Sequence, residues 1–226
     1  MSLLPLLSQT DLAAQHNLLP SPSHPLSASL DYAITNSNKH SIPRITISAL
    51  QGQYLAIQSQ LISAKDILEV GTLGGYSTIW FASTGAKVTS LEINPKHRDV
   101  ALENVANAGY KDSVEIILGS AHDSLAKLKQ EGKVFDLIFI DADWESQGAY
   151  FTAAVDLLRP KGCIYVDNVV RELFEEIEEG KDIVKDSMLA TVGKDDRVVA
   201  TMVTMASTHK GKESESLDGF VLAVKK

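Results

Sequence analysis

From Lys65 onward, short apolar runs alternate with segments whose large apolar residues recur at helical spacing. The runs Ile67–Val70, Val88–Glu92, Val114–Leu118, Phe135–Ile140 and Cys163–Val166 have the length and composition of buried parallel strands. Between them, Ser77–Ser83, Lys96–Ala108, Ser124–Gln130 and Gly148–Leu158 read as helices, with Gly109, Gly132 and Pro160-Lys-Gly162 punctuating their ends. This alternation predicts an α/β protein with a mostly parallel sheet, right-handed crossovers and helices on both faces. Beyond Asp167 the rhythm changes. Glu172–Glu179 reads as an acidic helix. Val198–Met205 and Phe220–Val224 read as two more strands joined by the polar stretch His209–Ser216. The pair brings the sheet to seven strands and predicts an antiparallel C-terminal strand on its edge.

The first sixty residues lack this alternation. Residues 1–20 predict a short amphipathic helix, and Pro20-Ser-Pro-Ser-His-Pro25 reads as a break and a turn. Leu30–Thr35 starts a second short helix. Ser48 is placed to cap a third that runs to Ile62. We therefore expect residues 1–60 to form a helical arm of the same domain, and residues 61–226 to form the ligand-binding core.

Composition narrows the classes. The formal net charge of −8, from 21 basic and 29 acidic residues, leaves no basic footprint. This argues against nucleic acid or an anionic membrane as the main partner. No apolar run approaches the roughly 20 residues that cross a bilayer. The N-terminus has no basic start and is broken by Pro5, so it does not read as a signal peptide. The single cysteine, Cys163, permits no internal disulfide and fits a reducing, cytoplasmic setting; within its apolar run it reads as a packing residue.

Ligands of open α/β sheets bind beyond the carboxyl ends of the strands. In this chain those ends carry Glu69 and the glycine turn Gly71–Gly75, then Glu92, then Gly119-Ser-Ala-His-Asp123, then Asp141-Ala-Asp143, and finally Asp167-Asn168. The turn, between a strand and a helix, lets the backbone approach a ligand. Glu92, about twenty residues beyond it, is placed to accept hydrogen bonds from a ribose diol. The spacing is Gly-x-x-Gly-Gly rather than Gly-x-Gly-x-x-Gly, and Glu69 would repel a pyrophosphate but suit an ammonium. S-adenosylmethionine fits these electrostatics better than NAD. Asp141, Asp143 and Asp167, meeting with the Asn168 amide at adjacent strand ends, would repel one another unless protonated or bound to a cation. An all-oxygen set suits Mg²⁺, Ca²⁺ or Mn²⁺.

The segments Ser48–Gln53, Leu68–Ser77, Leu91–Pro95, Phe139–Asp143 and Val166–Asn168, with Asp218-Gly-Phe220, together resemble the cation-dependent small-molecule O-methyltransferases. That family includes the catechol and caffeoyl-CoA enzymes. The resemblance runs from about Ile42 to the C-terminus. It implies a Rossmann-like, doubly wound fold and methyl transfer from S-adenosylmethionine to a hydroxyl of a small phenolic or catechol-like acceptor. Glu69, Gly71, Thr72, Ser77, Glu92, Ala121 and Asp143 match its cofactor-contacting positions, and His122 follows near the adenine. Asp141, Asp167 and Asn168 match its metal ligands, Asp141 serving catalysis as well. Relatives of this type are often homodimers. One position departs from the pattern: Trp144 stands where the family has a catalytic lysine. Tryptophan accepts no proton, so it reads either as an aromatic wall of the acceptor or cofactor pocket, or as packing at the loop base. Arg171 faces either the acceptor or the acidic helix. Two alternatives stay open: a binding protein that keeps the cofactor pocket without turnover, and an NAD-dependent oxidoreductase.

Overall fold

The structure, a computed structural model, describes residues 4–209, 211 and 216–226. Lys210 and residues 212–215 of the polar stretch between the last strands lie outside it, as do residues 1–3. The chain order is α1 (Leu4–Leu18), α2 (Pro25–Lys39), α3 (Ala49–Leu61), β1 (Asp66–Val70), α4 (Tyr76–Ala82), β2 (Lys87–Glu92), α5 (Pro95–Asn107), β3 (Val114–Leu118), α6 (Ala121–Gln130), β4 (Phe135–Ile140), α7 (Gln147–Leu157), β5 (Leu158–Val166), α8 (Val169–Glu178), α9 (Ile183–Asp186), α10 (Met188–Lys194), β6 (Val198–Ala206) and β7 (Leu217–Lys225). A single 3-10 turn, Trp144–Ser146, precedes α7.

One seven-stranded sheet has the order β3-β2-β1-β4-β5-β7-β6. All pairs are parallel except those of β7, which runs against both β5 and β6. Strand order reverses between β1 and β4, and the carboxyl ends of these strands open the crevice where such folds hold ligands.

Side chains alternate across the strands, so each buries one set on each face. Leu68, Val70, Ile138, Ile140 and Ile164 pack with α6, α7, α8 and α10. Ile67, Leu137, Phe139 and Tyr165 pack with α2, α3, α4 and α5. The arm thus divides. Helices α2 and α3 supply Leu30, Ala33, Leu55 and Ala56 to the core, whereas α1 buries no residue fully. A buried amide network locks α2 in place: Asn36 Nδ2 donates to Asn104 Oδ1 at 2.9 Å, and Asn104 Nδ2 donates to the Gly74 carbonyl at 2.8 Å. The glycine turn is thereby fixed from behind by α2 and α5.

Three local readings change. Pro25 is not part of a break: it occupies the first turn of α2, where its missing N–H costs nothing, and the His24 ring caps that helix. Pro160-Lys-Gly162 does not end a helix. It lies within β5, where the β4–β5 register shifts and Lys161 takes a φ of 62°. Proline offers no N–H to the ladder, which accounts for an irregularity at that point. The stretch between Glu179 and Val198 holds α9 and α10, too short for periodicity to reveal. Ser48 does cap α3, accepting from Gln51 N at 3.1 Å.

Candidate active site

Two cavities open at the carboxyl edge of the sheet. The first, about 420 Å³, is lined by Gly71, Thr72, Leu73, Tyr76, Ser77, Glu92, Ile93, His97, Ala121, His122, Asp141, Asp143 and Tyr150 among others. Strands β1, β2, β3 and β4 each deliver their terminal loop to it. Gly71 is indispensable there: its φ is 102°, and a Cβ would stand 2.0 Å from the backbone oxygen of Asp141. Only glycine lets the β1 and β4 loops approach so closely.

Glu69 does not line this cavity. It points to the opposite side of β1 from Leu68 and Val70, is fully buried, and accepts hydrogen bonds from the hydroxyls of Ser77, Thr78 and Ser90. Burial raises its pKa from 4.5 to about 7, against those three bonds and with some repulsion from Glu92. Its reach into the cavity runs through Ser77. Because Ser77 gives its proton to Glu69, its oxygen presents lone pairs to the cavity, a suitable seat for an ammonium.

Glu92 is buried and lines the cavity directly. Its Oε2 accepts from Leu73 N and its Oε1 from Asn94 N, both at 2.8 Å. These backbone donors fix the carboxylate and leave lone pairs for a diol. His122 and Tyr150 stand 4.8 Å apart, ring to ring, and form an aromatic flank. Asp143 serves this side alone. Ser146 N and the Tyr150 hydroxyl donate to it at 3.1 and 2.8 Å. Burial pushes its carboxyl up, but these bonds outweigh it and hold the pKa below the usual carboxylate range.

The second cavity, about 330 Å³, lies under α1 and α3. Asp11, Ile45, Ile47, Leu50, Gln51, Tyr54, Asp167, Asn168, Met205, His209 and Asp218 are among its walls. Ile45, Thr46 and Ile47 border both cavities. Asp141 faces the first, and Asp167 and Asn168 face the second, so these three residues mark the partition. Asp167 is buried, and Gln51 Nε2 donates to its Oδ1 at 2.8 Å. Burial first, then the charges of Asp141 and Asp218, raise its pKa from 3.8 to about 8. A buried carboxylate facing two others lacks a counter-charge, and a divalent cation would supply it. Asn168 takes a left-handed φ of 61° at the start of α8. Its Nδ2 donates to Asp218 Oδ2 at 2.8 Å, which leaves the amide oxygen free to act as a ligand. The donor set therefore fits a hard cation, with one revision. Asp143 is engaged elsewhere, so three carboxylates do not converge. Among the described residues no group of three or more His, Cys, Asp or Glu forms a metal cluster; the candidate set is two aspartates and an amide.

Trp144 lines neither cavity. Of its two readings the packing role holds, as a platform: the Arg171 guanidinium lies over the indole, 5.6 Å from the ring centre. Arg171 Nε in turn sits 2.8 Å from Asp218 Oδ2, its N–H not aligned with that oxygen. Arg171 thus turns to Asp218 rather than to the acidic helix. Tyr150 and His97, which sequence did not single out, come from the helices that follow β4 and β2, and Gln51 is brought in from α3.

A family model described as O-methyltransferase matches residues 22–209. The chain belongs to the O-methyltransferase family. It is 41% identical over 220 residues to the O-methyltransferase imqG of Aspergillus flavus, covering 92% of this chain and 87% of that one. It is 39% identical over 197 residues to a catechol O-methyltransferase of Mycobacterium tuberculosis, covering 85% and 86%. Among solved structures, the O-methyltransferase from Bacillus cereus in complex with SAH superposes with a TM-score of 0.85 at 34% identity, over 99% of this chain and 100% of that one. TomG from Streptomyces achromogenes, an O-methyltransferase in complex with SAM, gives 0.84 at 28% over the full length of both. The oxidoreductase reading gives way to this family: the chain is an enzyme that transfers methyl groups to oxygen. Among the described residues no helix is long and apolar enough to cross a membrane.

Proposed function

We propose that this O-methyltransferase takes its methyl group from S-adenosylmethionine and, assisted by a divalent cation, transfers it to a hydroxyl of a small phenolic or catechol-like acceptor. The observation that carries this reading is the partition. A cavity built for a nucleoside with an ammonium and a second, mainly apolar cavity meet at Asp141, Asp167 and Asn168. Support also comes from relatives: the Bacillus cereus and Streptomyces achromogenes structures hold SAH and SAM, and the Mycobacterium tuberculosis relative is named for catechol.

In the donor cavity, Ser77 accepts from the ammonium with Glu69 behind it, Glu92 accepts from the ribose hydroxyls, and His122 and Tyr150 flank the adenine. The sulfonium of the donor supplies an electrophilic methyl group. In the acceptor cavity, Ile45, Ile47, Leu50 and Tyr54 hold an aromatic ring and exclude water. Asp141, Asp167 and Asn168 would hold Mg²⁺ or a similar ion, which supplies Lewis-acid chemistry and favours an ionised hydroxyl. The protein's main contribution is alignment, since displacement at a methyl carbon requires the three reacting atoms in line. Among the described residues no lysine lines either cavity, so ionisation of the acceptor does not rest on one.

Incubation with methyl-labelled S-adenosylmethionine, Mg²⁺ and a panel of catechols and simple phenols tests the reading. Labelled methyl ethers are expected, and EDTA should suppress them. Absence of label on every member of the panel would overturn it.

A further inference from the structure

Asp167 and Asn168 share one peptide, and separate elements of the fold hold its parts. Gln51 of α3 holds the Asp167 carboxylate, and Asp218 of β7 holds the Asn168 amide. A further contact is made to the backbone between them. Gln147, the first residue of α7, donates from Nε2 to the Asp167 carbonyl at 2.9 Å. The Asp167 N–H in turn donates to the Ile140 carbonyl at 2.9 Å, which carries the β4–β5 ladder one residue further. Both backbone groups of Asp167 are therefore engaged.

The turn held in this way is not one the chain adopts freely. Asn168 has φ 61° and ψ 14°, in the left-handed region. A residue with a Cβ stays there only where its surroundings impose it. The Asp167 carbonyl is a point at which they can act. Its direction fixes the plane of the peptide, and that plane relates the Asp167 carboxylate to the Asn168 amide oxygen. Gln147 is 1% exposed and lines neither cavity. Its Oε1 is buried with no hydrogen-bond partner among the described residues, a cost that an apolar side chain of the same length would avoid. An amide kept at that cost serves something other than packing.

Building on the cation-assisted reading above, we propose that Gln147 is a positioning residue: by holding the Asp167–Asn168 peptide, it sets the angle at which the carboxylate and the amide oxygen meet a divalent cation. It touches neither the cation nor the acceptor. Gln51 and Asp218 line the acceptor cavity, so a change at either also alters the surroundings of a bound acceptor. Gln147 acts from behind the turn, and its loss is felt only through the turn. Without its bond the Asp167 carbonyl loses its donor, Asn168 relaxes toward ordinary backbone angles, and the two ligands part. The donor cavity includes neither Gln147 nor the turn among its walls and keeps its shape.

Mn²⁺ affinity by electron paramagnetic resonance, with SAH present, and SAH affinity by calorimetry test the proposal together. Gln147→Met keeps the length of the side chain and removes the amide. Its Mn²⁺ affinity should fall about tenfold, as when a residue that orients a metal ligand is lost, while SAH affinity stays within about twofold of wild type. Gln147→Asn keeps the amide but falls one methylene short of the carbonyl. The same pattern is expected of it, and it decides the matter should Gln147→Met fail to fold. Unchanged Mn²⁺ affinity overturns the proposal. So does a parallel loss of Mn²⁺ and SAH affinity, which marks a merely structural role. Wild-type protein that binds SAH but no Mn²⁺ overturns the cation reading itself, and the role of Gln147 with it.

Discussion

Replacing Glu69 by glutamine removes a buried charge while keeping the shape of the side chain. Glu69 is 0% exposed, and burial raises its pKa from 4.5 to about 7. A raised carboxyl contributes stability that is complete below about pH 4.5 and is lost as the pH climbs through about 7. Ionised at pH 8, Glu69 costs the folded protein about 3 kcal/mol relative to its unfolded chain, at ~1.4 kcal/mol per tenfold change in ionisation. Glutamine has no such pH dependence. Its amide must turn an N–H₂ toward Ser77 or toward Thr78 and Ser90, a mismatch worth about 1 kcal/mol. Glu69→Gln is therefore expected to gain about 2 kcal/mol over wild type at pH 8, a Tm rise of about 4–8 °C. At pH 5 it should be slightly the less stable protein. Ligand binding should move the other way: without the carboxylate behind it, Ser77 no longer presents a negative end, and SAH should bind about tenfold more weakly at pH 8. Thermal melts at the two pH values and calorimetric titration with SAH measure both. Equal destabilisation at both pH values, or unchanged SAH affinity, would refute the argument that this charge serves the ligand at the expense of the apo fold.

Other consequences are as definite. Gly71→Ala puts a methyl carbon against the Asp141 backbone at a φ that L-residues avoid; a loss of at least about 1–2 kcal/mol and a Tm lowered by several degrees are expected, with weaker SAH binding. Asp167, raised to about 8, binds a proton that a cation must displace, and the stability this proton brings is lost as the pH rises from about 4 through about 8. The Tm increase produced by Mg²⁺ should accordingly be larger at pH 8.5 than at pH 6, reaching about 5–11 °C at a hundred times Kd; an equal increase at both pH values contradicts this. Asp218→Asn frees the Asn168 amide to rotate, and Mn²⁺ affinity followed by electron paramagnetic resonance should drop about tenfold, as when a residue that orients a metal ligand is lost. Trp144→Lys removes the platform beneath Arg171, and the same measurement should show a smaller loss.

Much of the parallel half was legible because two periodicities alternate there without interruption. The strand ends carrying Glu92, Asp141 and Asp167 follow from the pattern alone as neighbours around one crevice, since a parallel sheet puts every such end on one edge. The direction in which a side chain leaves its strand was harder to read. Glu69 ends β1 and Asp143 follows β4 as expected, yet Glu69 faces away from the donor cavity, and Asp143, which does line it, is held by Tyr150. Both outcomes depend on partners, Ser77, Thr78, Ser90 and Tyr150, that only packing brings near. From its neighbours in sequence Trp144 reads either as a pocket wall or as packing at the loop base; the neighbour that decides is Arg171 on α8. The acceptor side was least legible of all. Asp11, Gln51 and Asp218 come from α1, α3 and β7; the segments around Gln51 and Asp218 carry the family resemblance, but nothing local shows that they meet Asp11 around one cavity.

The most direct test of the account is a crystal grown with SAH and Mn²⁺ and measured for anomalous scattering. We expect a single strong peak at the partition, about 2.0–2.4 Å from oxygens of Asp141, Asp167 and Asn168, with SAH in the cavity lined by Ser77 and Glu92. SAH bound there with no manganese among those three residues, or manganese held elsewhere on the chain, would contradict it.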